Sequence, residues 1–170
     1  MKKFKKVLAL ALAGVLALCL LAGCDGATTD PDEVMPENGT PEVVMAVNNA
    51  ATSKGWGSVK YSVKYSAITQ KLLENYVQNG LGSNATAYKD GYTAIVKELG
   101  NAEIVAGLTD ETAPVWKTTG NPGRKGYVKY DDENTLLADG SRFNRADRMG
   151  VAFYTKGNIT YQLVCLFDVN

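Results

Sequence analysis

The sequence predicts an α+β fold, and three observations carry that prediction. Apolar residues recur at helical spacing through the first two thirds of the chain, whereas its final stretch is rich in β-branched and aromatic residues. Lys156-Gly157-Asn158 divides that final stretch into two segments, as a hairpin loop would. Helices first and strands last, with no strand-helix-strand rhythm, argue for layered helices on a sheet with a C-terminal antiparallel hairpin. The 170 residues suffice for one domain with tails, and no internal repeat is present.

The elements follow in order. Thr40-Pro41-Glu42 supplies an N-cap, a proline at the first helical position and an acid in the first turn, and Val43, Val44, Val47, Ala50 and Ala51 continue at helical spacing to Lys54-Gly55. Ile68, Leu72, Leu73, Tyr76 and Val77 mark a second helix closed by Asn79-Gly80. Tyr88, Tyr92, Ile95, Val96 and Leu99 share one face of a third, which ends at Gly100. A short fourth helix is expected from about Asp110 to Lys117. Met149 to Thr155 and Ile159 to Phe167 read as the paired hairpin strands, with Ile104 to Ala106 and Tyr127 to Tyr130 as shorter strands.

The N-terminus carries an address. Met1 to Lys6 is basic, and Val7 to Ala22 is a 16-residue apolar run, short for a spanning helix and suited to the central region of a secretory signal. It ends in Leu21-Ala22-Gly23-Cys24, which resembles the bacterial lipobox, where small residues admit the peptidase and the Cys24 thiol takes the lipid. The expected organisation is a lipoprotein signal peptide over 1–23, a lipidated flexible tether over 24–40 and a folded domain over 41–170. Asp25 to Thr40, rich in Asp, Pro, Thr and Gly, would span roughly 20–25 Å as a flexible coil. The partner implied is a membrane, reached through lipid on Cys24 at the outer face of a bacterial cytoplasmic membrane.

Composition narrows the chemistry. The chain balances 18 basic against 18 acidic residues, and without Lys2, Lys3, Lys5 and Lys6 it holds 14 against 18, a net charge of −4 that argues against nucleic acid. There is no histidine, which removes Ser-His-Asp and Cys-His triads, His-ligated zinc and imidazole bases together. Cys165 lies in the apolar run Leu163 to Phe167 and reads as a buried thiol. Gly80-Leu81-Gly82-Ser83-Asn84-Ala85 matches a permissive dinucleotide pattern, but a helix precedes it where that chemistry needs a strand, so it reads as an interhelical turn. Asp131-Asp132-Glu133-Asn134 lacks the spacing of a calcium loop and reads as a solvated acidic loop. What survives is carboxylate chemistry of the glycosidase kind, with Glu98, Glu103, Asp110 and Glu111 as its candidates beside the plainer reading of surface acids.

Several short segments, in order, resemble the CAP superfamily, the domain of cysteine-rich secretory, antigen-five and pathogenesis-related proteins. Val47-Asn48-Asn49-Ala50 leading to Gly55 resembles its opening helix, and Val63-Lys64-Tyr65-Ser66 with the helix to Gly80 resembles the entry into its second. Glu103-Ile104-Val105-Ala106-Gly107 is similar to the G-E-N-I-A-x-G segment, and Val115-Trp116 through Pro122-Gly123-Arg124 to W-x-x-S-P-G-H-R. Met149-Gly150-Val151-Ala152 with Tyr161 to Phe167 resembles the closing strands. The resemblance, over about residues 40–170, implies a three-layer α-β-α sandwich with a central cleft. It also implies a departure: the family's two cleft histidines have no counterpart, the first position falling on Leu72, Asn75 or Tyr76 and the second being deleted before Arg124. The resemblance therefore implies a binding or scaffolding module for an extracellular ligand or cell-wall component, with no metal, cofactor or catalytic residue. Glu103, Trp116, Arg124 and Tyr127 are the expected cleft rim, with an inward Arg124 meeting Glu103 or a surface Arg124 as the two arrangements. On this reading the chain is not expected to be an enzyme, and the alternatives are a carboxylate-dependent peptidoglycan hydrolase and a small lipid carrier.

Overall fold

A computed structural model describes residues 30–80, 85–107, 116–118, 136–137 and 139–170. The chain divides into two units, Met1–Asp30 and Pro31–Asn170, and every element below belongs to the second. In order these are α1 (Thr40–Ser53), β1 (Lys60–Tyr61), α2 (Val63–Asn75), α3 (Ala85–Val96), β2 (Glu103–Ala106), β3 (Trp116–Thr118), α4 (Gly140–Arg145), β4 (Arg148–Lys156) and β5 (Ile159–Asp168). The fold class is α+β, as expected. No helix among the described residues is long and apolar enough to cross a membrane.

The hairpin forms as the sequence predicts. β4 and β5 pair antiparallel from Arg148↔Phe167 to Lys156↔Ile159, joined by a two-residue turn. Gly157, at φ 61°, takes the first turn position, and Asn158 stays at negative φ, the pattern of a II′ turn whose twist suits the flanking strands. The sheet runs β1-β4-β5-β2, with β3 also on β5. β2 pairs with residues 166–168 of β5 and β3 with residues 160–162, both antiparallel.

Burial explains why β5 reads as one apolar run. Tyr161 to Phe167 are all buried, because both faces of this central strand are covered. Val164 and Leu166 join Met149 and Val151 beneath Val43, Val44, Val47 and Ala51 of α1 and Phe143 of α4. Leu163, Cys165 and Phe167 project the other way, onto Ile68, Leu72 and Leu73 of α2 and Tyr88 of α3. Each fully buried Leu, Val or Phe contributes about 1.5–3 kcal/mol, so the two clusters hold helices to opposite faces of one sheet. The expected burial of the Cys165 thiol is met.

Side chains complete what the backbone leaves open. Asn48 of α1 donates through Nδ2 to the Val59 carbonyl at 3.0 Å and accepts the Val59 N–H at 2.9 Å, holding the approach to β1. Ser62 caps α2, its Oγ accepting the Tyr65 N–H. Ser66 accepts the Val151 N–H at 3.1 Å where β1 has ended. There α2 lies close on β4, and a Cβ on Gly150 would sit 2.5 Å from the Tyr65 carbonyl oxygen.

Three expectations change. Thr40 is the first helical residue rather than the N-cap, because the Asn38 carboxamide oxygen takes both its N–H and its hydroxyl. The second helix closes at Asn79-Gly80 as expected, its last turn, Tyr76–Gly80, being a π turn in which Asn79 donates to Asn75 Oδ1. The expected helix from Asp110 to Lys117 is overturned at its end: Trp116–Thr118 is strand, as an aromatic beside threonines suits, while residues 110–115 lie outside the described residues. Finally, the stretch read as tether is built onto the domain from Pro31. Pro31–Glu33 forms a 3₁₀ turn whose Asp32 carboxylate accepts the Lys64 N–H at 2.7 Å and the Ser62 hydroxyl at 2.5 Å. Low apolar content did not reveal a segment held by its polar side chains.

Candidate functional site

The densest charge assembly among the described residues lies where β2, β5 and α4 meet. Glu103 opens β2 opposite Asp168 of β5, and two carboxylates directly across antiparallel strands repel. Arg145, in the last turn of α4, relieves this. Its Nη2 stands 2.9 Å from Glu103 Oε2 and 3.0 Å from Asp168 Oδ2, and its Nε donates to Asp168 at 3.2 Å. The hydrogen bond to Asp168, then that to Glu103, raises the guanidinium pKa above its ordinary value. The bridge is exposed, so it sets the register of the short strand β2 more than it stabilises the domain.

Local sequence places the arginine. Asp139 N-caps α4, its carboxylate accepting the Ser141 N–H and hydroxyl at 2.9 and 2.7 Å, and those bonds hold its pKa below the usual carboxylate value. Arg142 and Arg145 then occupy the last turn, where cations are favoured. Asp139-Gly140-Ser141 followed by two arginines was the available signal for this unpredicted helix. Phe143 seats it, packing on Trp56 at 5.6 Å between ring centroids, with Lys54 Nζ 5.4 Å above the indole.

The residues singled out by sequence separate accordingly. Glu103 is exposed, and the cation it meets among the described residues is Arg145. Trp116 opens β3 opposite Gln162 of β5. Arg124 and Tyr127 lie outside the described residues, as do Cys24, Asp110, Glu111, the Asp131 to Asn134 loop and the expected strand from Tyr127 to Tyr130. Glu98 pairs with Lys71 of α2 at 2.5 Å. The cations on Glu98 and Glu103 thus come from α2 and α4, helices that pack on opposite faces of the sheet. Among the described residues no group of three or more acids and cysteines is arranged to hold a metal ion. The dinucleotide-like run begins at the end of the π turn and reaches α3 at Ala85, so helix rather than strand leads into it.

A second assembly is aromatic. Tyr76 meets Tyr88 edge-on at 6.0 Å, and Tyr88 meets Tyr92 at 6.4 Å. Burial first, and then the neighbouring Tyr161 hydroxyl, push the Tyr76 pKa up. Asn75 beneath them donates to the Tyr88 carbonyl at 2.9 Å, fastening α2 to α3. Such a group packs and orients, and it offers neither a nucleophile nor a base near neutral pH.

Comparison with protein families, with curated proteins and with solved structures gave no match.

Proposed function

We propose that this chain is a lipid-anchored bacterial surface protein whose domain is a CAP-like binding or scaffolding module with its metal-binding tetrad lost. The observation that carries the reading is the absence of histidine from the whole sequence, joined to Leu-Ala-Gly-Cys at the end of the N-terminal apolar run. Helices against both faces of a sheet that closes in an antiparallel hairpin support the α-β-α sandwich on which the resemblance rests. The engagement of Glu103 by a guanidinium supports loss of the metal, since a carboxylate held by a permanent cation is a poor ligand for a divalent ion.

The test has two readouts on the full chain expressed in a bacterium. Mass analysis of the N-terminal fragment is expected to find lipid on Cys24, and Cys24→Ala is expected to release the protein from membranes. Added zinc is expected to leave the melting temperature unchanged. An unlipidated Cys24 in the membrane fraction would overturn the anchor, and a saturable rise in melting temperature with zinc would overturn the lost metal site.

A further inference from the structure

We infer that the end of the domain bearing the Pro31–Glu33 turn is a bilayer-docking surface, with Val34 and Met35 inserted at the headgroup boundary of an anionic phospholipid membrane. The inference rests on the proposed lipidation of Cys24. Six residues lie between Cys24 and Pro31, and a fully extended chain covers at most about 25 Å over those seven steps. A domain attached at Pro31 would therefore be held with this end close to the lipid, whatever path the intervening residues take.

The surface at that end has the required composition. Val34 is 55% exposed and Met35 38%, consecutive apolar residues directly after the turn. Val63, 44% exposed, lies between Ser62 and Lys64, the two residues that hold Asp32 of the turn. The acids of the turn are directed to the protein: Asp32 accepts from Ser62 and Lys64, and Glu33 pairs with Lys60 at 2.8 Å. Lys60 and Lys64 are both exposed, with the Lys64 ammonium over the Tyr65 ring at 5.0 Å. Apolar side chains beside Lys64 and the Lys60–Glu33 pair, with Asp30 and Glu37 exposed on either side in the chain, suit an interface that is apolar within and charged at its rim. Lipid on Cys24 holds the chain at the bilayer but leaves the domain free to turn, so a second contact contributes orientation.

The fold supplies an internal control. β1 joins β4 at Arg148 and Met149, whereas the hairpin turn lies at the far end of that nine-residue strand, about 27 Å away. Ile159 at this far end is 38% exposed, comparable with Met35. Single cysteines at Val34→Cys and Ile159→Cys in the full chain, labelled with an environment-sensitive fluorophore, would be reconstituted into phosphatidylethanolamine and phosphatidylglycerol vesicles carrying a lipid-borne quencher. Quenching is expected to be several-fold greater at position 34 than at 159, and Met35→Asp is expected to abolish that difference while lipid stays on Cys24. Equal quenching at both positions, or an aqueous signal at 34 with Cys24 lipidated, overturns the docking surface and leaves the anchor standing. A Cys24 fragment without lipid overturns the anchor first, and the length argument with it.

Discussion

Replacing Gly150 by alanine puts a methyl group into the contact between α2 and β4. The new Cβ would stand 2.5 Å from the Tyr65 carbonyl oxygen and 2.8 Å from the carbon of the same group, with the Thr69 hydroxyl also in its way. Ordinary contact begins near 3.4 Å, so α2 must withdraw by about 0.9 Å. The obstacle is helix backbone and cannot rotate aside as a side chain would. The penalty should therefore reach the upper part of the overpacking range, about 3 kcal/mol, which lowers the melting temperature by roughly 10 °C in a domain of this size. Thermal unfolding followed by circular dichroism measures it. Thr69→Ala in the same background should not restore the loss, because the carbonyl remains. Gly57→Ala is the control, since its nearest atom would be Asn144 Oδ1 at 3.9 Å and a shift within about 0.5 kcal/mol is expected. A melting temperature for Gly150→Ala equal to that of Gly57→Ala would refute the close approach of α2 to the sheet.

Other outcomes follow from the same geometry. Asn75→Ala removes the bond to the Tyr88 carbonyl and the one accepted from Asn79, and should cost about 2 kcal/mol in denaturant unfolding; an unchanged midpoint would contradict the fastening of α2 to α3. Asp32→Ala should cost about 1 kcal/mol and admit protease between residues 34 and 39, whereas protection equal to the parent protein would mean that the turn is held by something else. Tyr76, with its pKa raised from 10.0, keeps its proton in the folded chain after the unfolded chain has begun to release one. Its contribution is full below about pH 10 and lost as pH rises further, so Tyr76→Phe should flatten part of the alkaline decline in melting temperature, and an identical decline would refute the assignment.

The sequence made the hairpin legible because its signals were local: apolar and β-branched residues along both strands, and a glycine where the turn demands positive φ. The helices from Val43, Ile68 and Tyr88 were legible for the same reason, since each buries one face at regular spacing. What escaped was decided by partners distant in the chain. Lys60 and Tyr61 are strand only because Arg148 and Met149 lie beside them. Trp116 to Thr118 are strand because residues 160–162 present an edge. Composition read the residues after Pro31 as tether, yet Asp32 finds its place at a helix start thirty residues on. The site divided along the same line. Glu103 could be named from a motif, but Arg145, which engages it, emerges only when α4 is laid across β2 and β5.

The arrangement of the sheet also imposes an order of events. β4 and β5 come after every other described strand, and each earlier strand pairs with one of them: β1 with β4, and β2 and β3 with β5. The residues up to 107 can form helical turns by themselves, but the surface on which those helices bury their apolar faces does not exist until residues 148–168 have arrived. A ribosome-bound or partly translocated chain would thus stay without its core until late, exposing Leu72, Leu73 and Val47 to any chaperone that meets it. Loss of β5 should in turn abolish the domain as a whole, since β2, β3 and β4 all pair with it. Among pairings this distant in sequence, assembly is slow and concerted. For a chain proposed to cross a membrane before it folds, this delay keeps it extended and threadable.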